Sequence, residues 1–185
     1  MGSLLLESTT PSQAQAASTS KPLLRAPRLK PGDTIGLVNP SNAIYERQPY
    51  EMAAETLQAL GFKVREAPNL RARYGHFAGT PEQRARDING LFADPGIAGI
   101  LAVTGGSGAN RVLPLLDYAQ MQRTPKFIGG FSDITALINA IHAKTGLVTF
   151  HAPVAASEWN AFSVDSFRSV VMDAQPATLR NVIER

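Results

Sequence analysis

The sequence contains no cysteine, and this absence excludes several classes of site at once. A chain without thiols can form no disulfide, no thiolate zinc site and no thiol nucleophile. Histidine is scarce as well, with three residues among 185, and the histidines and carboxylates show no metal-ligand spacing. We therefore expect neither a metal nor another cofactor, while the redox state of the compartment is left open.

Long charged runs and long apolar runs are also absent. The 18 Lys and Arg residues against 15 Asp and Glu give a net charge of +3, with no basic stripe interleaved with aromatic residues. Nucleic acid is therefore not an expected partner. No apolar stretch approaches the roughly 20 residues that span a membrane. A hydrophobic content of 44% instead predicts one soluble domain with a sizeable core.

Residues 1–27 differ in composition from the rest of the chain. They are rich in Ser, Thr, Ala, Gln and Pro, with apolar clusters only at Leu4–Leu6 and Leu23–Leu24. This composition predicts a disordered tail. Ala14-Gln15-Ala16 resembles a signal-peptidase site, although the basic start and the long apolar stretch of an export signal are missing. A trimmed signal and a plain linker both stay open.

From Leu29 onward the pattern alternates between short apolar strands and amphipathic helices. The predicted strands are 34–39, 62–65, 97–103, 126–128 and 147–150, and the predicted helices are 50–60, 81–93, 110–118 (interrupted by Pro114), 134–144 and 163–172. This order predicts an α/β fold with a parallel open sheet and helices on both faces. Right-handed crossovers then bring four loops to one sheet edge: 40–42, 104–108, 130–133 and 151–153.

Residues 125–135, PKFIGGFSDIT, predict a strand, a glycine turn, a serine and a helix. A serine at such an elbow has its hydroxyl lifted off the sheet edge, beside the N–H groups that open the helix. Ile134 stands where the last glycine of G-x-S-x-G would be. Ser132 is therefore a candidate nucleophile, and a helix N-cap is the alternative.

The glycine-rich segment Thr104–Gly108 has three possible interpretations. It lacks the G-K-[S/T] of a phosphate loop, and Arg111 stands at the third glycine of a dinucleotide fingerprint. A turn that exposes backbone N–H groups towards the neighbouring serine would complete an oxyanion hole. A tight turn without a ligand is the third possibility.

A serine nucleophile needs a base within hydrogen-bond reach, and the sequence offers few. His142 lies ten residues past Ser132 on one helix, roughly 15 Å away. His76 is expected to face solvent, and His151 ends a strand at the correct edge. Two basic triplets, 71–73 and 84–86, are expected to be solvated charges.

Three longer stretches resemble the LD-carboxypeptidases, serine peptidases whose relatives include the microcin C immunity peptidases. They are LKPGDTIGLVNPSN at 29–42, AGTPEQRARDINGLFADPGIAGILAVTGGSGANRVLPLLDY at 78–118 and PKFIGGFSDITALINAIHAKTGLVTFHAPV at 125–154. Together they cover about Leu29 to Trp159. Their order and spacing are far more specific than G-x-S alone.

The resemblance implies a hydrolase that cuts the amide between an L-centre and a terminal D-amino acid. The typical substrate is a murein tetrapeptide that loses D-alanine during cell-wall recycling. The resemblance implies Ser132 as the nucleophile and the backbone N–H groups of Asp133 and Gly106 as the oxyanion hole. It also implies a cytoplasmic location, with export as the alternative if the tail is a trimmed signal.

The sequence departs from the family pattern at three positions. Thr104 stands where Arg is common, Ser107 where Tyr is usual, and Ala152 in place of the Gly of H-G-P. These differences affect the identity of the substrate more than the fold. Ser107 and His151 are expected at the substrate edge.

The family has a second, C-terminal domain that supplies a Glu and a His to complete a Ser-His-Glu triad. We therefore expect residues 28–160 to form the nucleophile-bearing domain, residues 161–185 to form a helix and the start of a linker, and the chain alone to have little or no turnover. Two rival interpretations stay open. One is a non-catalytic module that binds a peptide or nucleotide through Gly105–Gly108, and the other is a fragment that pairs with another chain or forms a homodimer.

Overall fold

A computed structural model describes residues 22–176 of the chain. Five parallel strands form one open sheet in the order β2-β1-β3-β4-β5. The strands are β1 (Thr34–Val38), β2 (Lys63–Glu66), β3 (Gly99–Ala102), β4 (Phe127–Gly130) and β5 (Phe150–His151). The helices are α1 (Gln48–Ala59), α2 (Pro81–Ala93), α3 (Tyr118–Arg123), α4 (Ile134–Thr145) and α5 (Ala161–Phe167), with a 3-10 helix at Ala109–Leu115 and a π-helical turn at Arg168–Met172.

Helices cover both faces of the sheet, which confirms the predicted α/β architecture. Alternate strand residues point to opposite faces, and this alternation divides the core into two clusters. Ile35 and Leu37 pack on the side of α1 and α5. Val38 and Ile100 pack on the side of α2 and α4. The strands are apolar on both faces because both faces are buried.

The connection from β2 to β3 passes over β1, so the chain changes direction along the sheet between β1 and β3. In open parallel sheets, ligands bind outside the carboxyl ends of the strands at this switch point. The loops that follow β1 and β3 flank it here. The fold therefore presents residues 40–42 and 104–108 at the position where a site is expected.

The start of α2 follows directly from the sequence. Thr80 accepts a hydrogen bond from the N–H of Gln83, and the Gln83 side chain accepts one from the N–H of Thr80. This is a complete capping box, with Pro81 at the first helical position, where a missing N–H costs nothing. The predicted helix 81–93 is confirmed at both ends.

The predicted strand 147–150 is wrong in its bounds. β5 begins only at Phe150, whereas Leu147 forms an isolated parallel bridge with Leu24. The N–H of Val148 donates to the carbonyl of Leu24 at 2.8 Å. Residues 22–27 therefore contribute to the packed fold, and the predicted disordered tail needs correction at its end. Its remainder, residues 1–21, lies outside the described residues, as do residues 177–185.

Two predicted helices differ from the observed ones in helix type, and α1 begins two residues earlier than predicted, at Gln48. Pro114 lacks an N–H, and the predicted helix 110–118 is a 3-10 helix that ends at Leu115, followed by α3. The predicted helix 163–172 begins at Ala161 and changes to a π-helical turn at Arg168. Within residues 22–176, no helix combines the length and the apolar character that crossing a membrane requires.

Candidate active site

Ser132 lies at a sharp elbow between β4 and α4. Its φ of 61° is in the left-handed region, which costs a non-glycine residue about 1–2 kcal/mol. The residue is exposed, and its Oγ makes no hydrogen bond with any residue of the described range 22–176. The N-cap of α4 is Asp133, without a capping side chain, so the N-cap interpretation of Ser132 is wrong. The elbow instead holds a free hydroxyl at the sheet edge.

The glycine loop, residues 104–108, lies directly against this hydroxyl. A Cβ placed on Gly105 would be 2.9 Å from Cβ and 3.2 Å from Oγ of Ser132. Gly106 has a φ of 130°, and a Cβ there would be 2.4 Å from Cγ of Asn42. The loop can therefore approach the serine and Asn42 only because both positions lack a side chain.

Two backbone amides of this region have no acceptor. Neither the N–H of Asp133 nor that of Gly106 donates a hydrogen bond to any atom of residues 22–176. Asp133 immediately follows Ser132, and Gly106 follows the glycine that contacts it. Backbone N–H groups without an acceptor are the donor type that stabilises a developing oxyanion.

The carboxylate of Asp133 serves a separate purpose. Its Oδ2 accepts hydrogen bonds from Oγ of Ser41 and from the N–H of Ala109, each at 2.7 Å. Ser41 follows β1, and Ala109 begins the 3-10 helix after the glycine loop. One side chain therefore joins three of the loops that the topology brings together.

Ser107 and His151 lie at the same edge of the sheet. The N–H and Oγ of Ser107 both donate to Oδ1 of Asn42, at 2.9 and 3.2 Å. His151 pairs with Gly130 in the strand register and is exposed, with its ring 6.3 Å from the ring of Phe131. All four predicted loops thus meet at one edge.

None of the three histidines bonds to Ser132 within the described part of the chain. His142 uses Nδ1 in a 2.8 Å hydrogen bond with the carbonyl of Leu147. His76 is exposed, as predicted, and its ring centroid lies 3.8 Å from that of Phe77, with the two rings tilted by 41°. Across residues 22–176, no three carboxylates or histidines are grouped so that they could hold a metal ion.

Arg84 is the site residue that the sequence analysis placed wrongly. It is 2% exposed rather than solvated, and its Nη1 donates to the carbonyls of Pro40 (2.6 Å) and Gly108 (3.0 Å). Burial lowers the pKa of Arg84, and Arg111 lowers it further, while Asp133 acts in the opposite direction. The helical spacing in the sequence predicts this burial, because Arg84 lies one turn before Ile88 on the buried face of α2.

Comparison with known proteins gives a consistent result. The family model of the LD-carboxypeptidase N-terminal domain matches residues 35–152 of this chain. The microcin C7 self-immunity protein MccF of Escherichia coli is 40% identical over 136 residues, which are 72% of this chain and 39% of that protein. The murein tetrapeptide carboxypeptidase of Pseudomonas aeruginosa is 35% identical over 122 residues, 65% of this chain and 39% of the relative.

A solved structure agrees with the fold. The wild-type apo form of MccF has a TM-score of 0.76 at 34% identity, covering 82% of this chain and 47% of the solved one. The chain thus spans less than half the length of these relatives. The residues that match the family model include most of the sheet, the elbow and the glycine loop. The chain therefore belongs to the LD-carboxypeptidase family.

Proposed function

We propose that this chain carries the nucleophile of a serine peptidase of the LD-carboxypeptidase type. The observation that carries the proposal is Ser132, whose strained elbow holds a free, exposed hydroxyl against Gly105. The free N–H groups of Asp133 and Gly106 are the proposed oxyanion hole. The proposed substrate is a murein tetrapeptide with a terminal D-alanine, and the names of the relatives support this class.

The proposed reaction is an acyl transfer in two steps. Oγ of Ser132 attacks the carbonyl carbon of the scissile amide, and its proton passes to a base while the two amides hold the oxyanion. The C–N bond then breaks, the amine takes a proton, and D-alanine leaves an ester on Ser132. Water attacks that ester, which releases the shortened peptide and restores the hydroxyl.

The base is the part of this mechanism that the described residues do not supply. No histidine is hydrogen-bonded to Ser132 within residues 22–176. We propose that the Glu and His of the triad belong to the half of the relatives that this chain does not span. His151, at the same sheet edge, is the alternative base within the chain.

A second candidate substrate comes from the likeness to MccF. That protein has been solved in complex with glutamyl sulfamoyl guanosine, and the solved chain is 33% identical to this one. An aminoacyl nucleotide analogue is therefore the second substrate to test. A cytoplasmic location and a homodimer remain predictions, the latter checked by sedimentation at several concentrations.

The test offers the chain a tetrapeptide that ends in D-alanine and a matched one that ends in L-alanine. Because acylation by an amide needs the base, we expect little release of D-alanine from either peptide. The matched thioester analogues, whose leaving thiolate needs no proton, should give an acyl adduct in the intact mass with the D-form alone, absent from Ser132→Ala. Sustained release that Ser132→Ala abolishes would keep the nucleophile but contradict the external base, and His151→Ala would then identify the base. Binding that survives Ser132→Ala, with no acylation of the wild type, would support the non-catalytic module instead.

A further inference from the structure

The two proposed oxyanion donors belong to different loops. Asp133 lies in the elbow after β4, and Gly106 lies in the glycine loop after β3. No backbone hydrogen bond joins the elbow to the glycine loop within residues 22–176. The separation of the two N–H groups therefore depends on side chains that link these loops.

The first link starts from Ser41, which is completely buried. Its hydroxyl donates to the carboxylate of Asp133, 92 residues later in the chain, at 2.7 Å. The same carboxylate oxygen accepts from the N–H of Ala109. Hydrogen bonds to a carboxylate are shorter and stronger than neutral ones. Ser41 thus fixes the side chain that ties the elbow to the end of the glycine loop.

The second link starts from Asn42, the next residue. Its Oδ1 accepts two hydrogen bonds from Ser107, and its Cγ packs against Gly106 so closely that a Cβ there would be 2.4 Å away. The Asn42 side chain therefore contacts Gly106, the proposed oxyanion donor, and accepts hydrogen bonds from the next residue, Ser107. Asn42 therefore limits how closely the backbone of Gly106 can lie to the segment after β1.

Arg84, on α2, forms hydrogen bonds to the same segment. One nitrogen, Nη1, donates to the carbonyls of Pro40 and Gly108, which links the residue before Ser41 to the end of the glycine loop. Ser41 therefore bonds directly to the elbow and Asn42 to the glycine loop, while Pro40 is linked to the glycine loop through Arg84. The segment Pro40–Asn42 lies at the switch point of the sheet, between β1 and β3.

We propose that Ser41 and Asn42 are positioning residues that set the distance between the N–H groups of Asp133 and Gly106. The inference rests on the proposed function, because it assigns both amides to the oxyanion hole. Neither side chain touches the reacting atoms. Each acts through the loop that it holds, and a displacement of about 1 Å in such a site can cost 100-fold in rate.

The kinetic test uses the full chain and a fluorophosphonate probe. In this reaction Oγ of Ser132 bonds to phosphorus, fluoride leaves and the hydroxyl proton passes to imidazole, which is added to the buffer as the base. We expect Ser41→Ala and Asn42→Ala each to lower the maximal labelling rate at least tenfold, with the half-saturating probe concentration within twofold of wild type. Asn42→Asp, which keeps the accepting oxygen, and Ser41→Thr, which keeps the hydroxyl, should recover most of the rate.

The control is Asn110→Ala, an exposed asparagine just beyond the glycine loop, which should label at the wild-type rate. All variants are assayed well below their melting temperatures, so that loss of folded protein does not mimic the effect. Wild-type rates in both alanine variants, or an equal loss in Asn110→Ala, would overturn the inference. If Ser41→Ala does not fold, the pair Asn42→Ala and Asn42→Asp decides.

A second measurement separates this inference from the proposed function. Crystal structures of the wild type, Asn42→Ala and Ser41→Ala give the distance between the Asp133 and Gly106 nitrogens. We expect it to change in both variants and to stay constant in Asn110→Ala. If the wild-type Ser132 is not labelled, the nucleophile fails, yet an unchanged distance would still overturn the positioning role by itself.

Discussion

Gly105 and Ser132 are in such close contact that the glycine has no room for a side chain. An added Cβ would lie 2.9 Å from the Cβ of Ser132, a separation that real Cβ contacts essentially never show. Gly105 and Ser132 follow the ends of two adjacent strands, β3 and β4. The position of Ser132 therefore requires a glycine at residue 105 in the neighbouring loop.

Gly105→Ala is therefore expected to push Ser132 out of place. The overpacked contact should lower the free energy of unfolding by about 1–3 kcal/mol, and labelling of Ser132 by a fluorophosphonate should fall sharply. The matched control is Gly90→Ala on the exposed side of α2, where nothing lies within 4 Å. Urea unfolding should show that this control gains about 0.5–1 kcal/mol. Equal behaviour of the two variants would contradict the contact.

The backbone of Ser132 stores strain that glycine would release. Because its φ is 61°, Ser132→Gly should be more stable than Ser132→Ala by about 1 kcal/mol. Neither variant has a nucleophile, so the comparison reports the backbone alone. At Ser157, which has no positive φ, alanine should be at least as stable as glycine. Thermal unfolding of the Gly and Ala variants at both positions checks the prediction. It would be refuted if the same one of the two residues gave the higher stability at Ser132 and at Ser157.

Arg84 is expected to stabilise the fold as well as the site. Arg84→Met keeps an unbranched side chain but leaves the carbonyl of Pro40 without its donor and the carbonyl of Gly108 with the N–H of Arg111 alone. The free energy of unfolding should fall by about 1–3 kcal/mol. Arg86→Met on the exposed side of the same helix should change it by less than about 0.5 kcal/mol. Urea titrations that give both variants the same stability would contradict the structural role of Arg84.

Asp87 gives the stability of the chain a defined pH dependence. Burial raises the pKa of its carboxyl above 3.8, although hydrogen bonds from Asn69 and the charge of Arg86 oppose the shift. A raised folded-state pKa contributes stability that is complete below the unfolded value and is lost as pH rises through the folded one. Relative to Asp87→Asn, the wild type should therefore lose stability as pH increases from about 3 to 7.

The measurement is urea unfolding of both proteins across that range. Asp165→Asn, an exposed carboxylate on α5, controls for the loss of one charge. The difference in stability between wild type and Asp87→Asn could instead stay constant with pH, or favour the wild type more at higher pH. Either result would show that burial does not dominate the pKa of Asp87.

Local sequence signals predicted the parts of the fold that local interactions determine. The capping box at Thr80 fixes the start of α2 within four residues. The apolar spacing after Asp133 predicted α4, and the glycine pair before Ser132 predicted the elbow. In each case the residues that decide the structure are neighbours in the sequence, so their types are sufficient evidence.

The errors arose where distant residues decide. Leu147 pairs with Leu24 rather than extending β5, and no pattern within 147–150 reveals that partner. Ser41 and Asn42 meet residues 92 and 65 positions later, so their roles became visible only when the loops were seen together. Arg84 is the exception, because its charge predicts exposure while its local position on the buried face of α2 predicts burial.

The central claim is that Ser132 is the nucleophile, and one measurement tests it most directly. The chain is treated with a fluorophosphonate probe in buffer that contains imidazole as an external base, digested with trypsin and analysed by tandem mass spectrometry. Cleavage after Lys126 and Lys144 gives the peptide FIGGFSDITALINAIHAK, which contains a single serine. The account predicts the phosphonyl group on Ser132 and none in Ser132→Ala. An unmodified peptide, or a probe attached only to another residue, would contradict it.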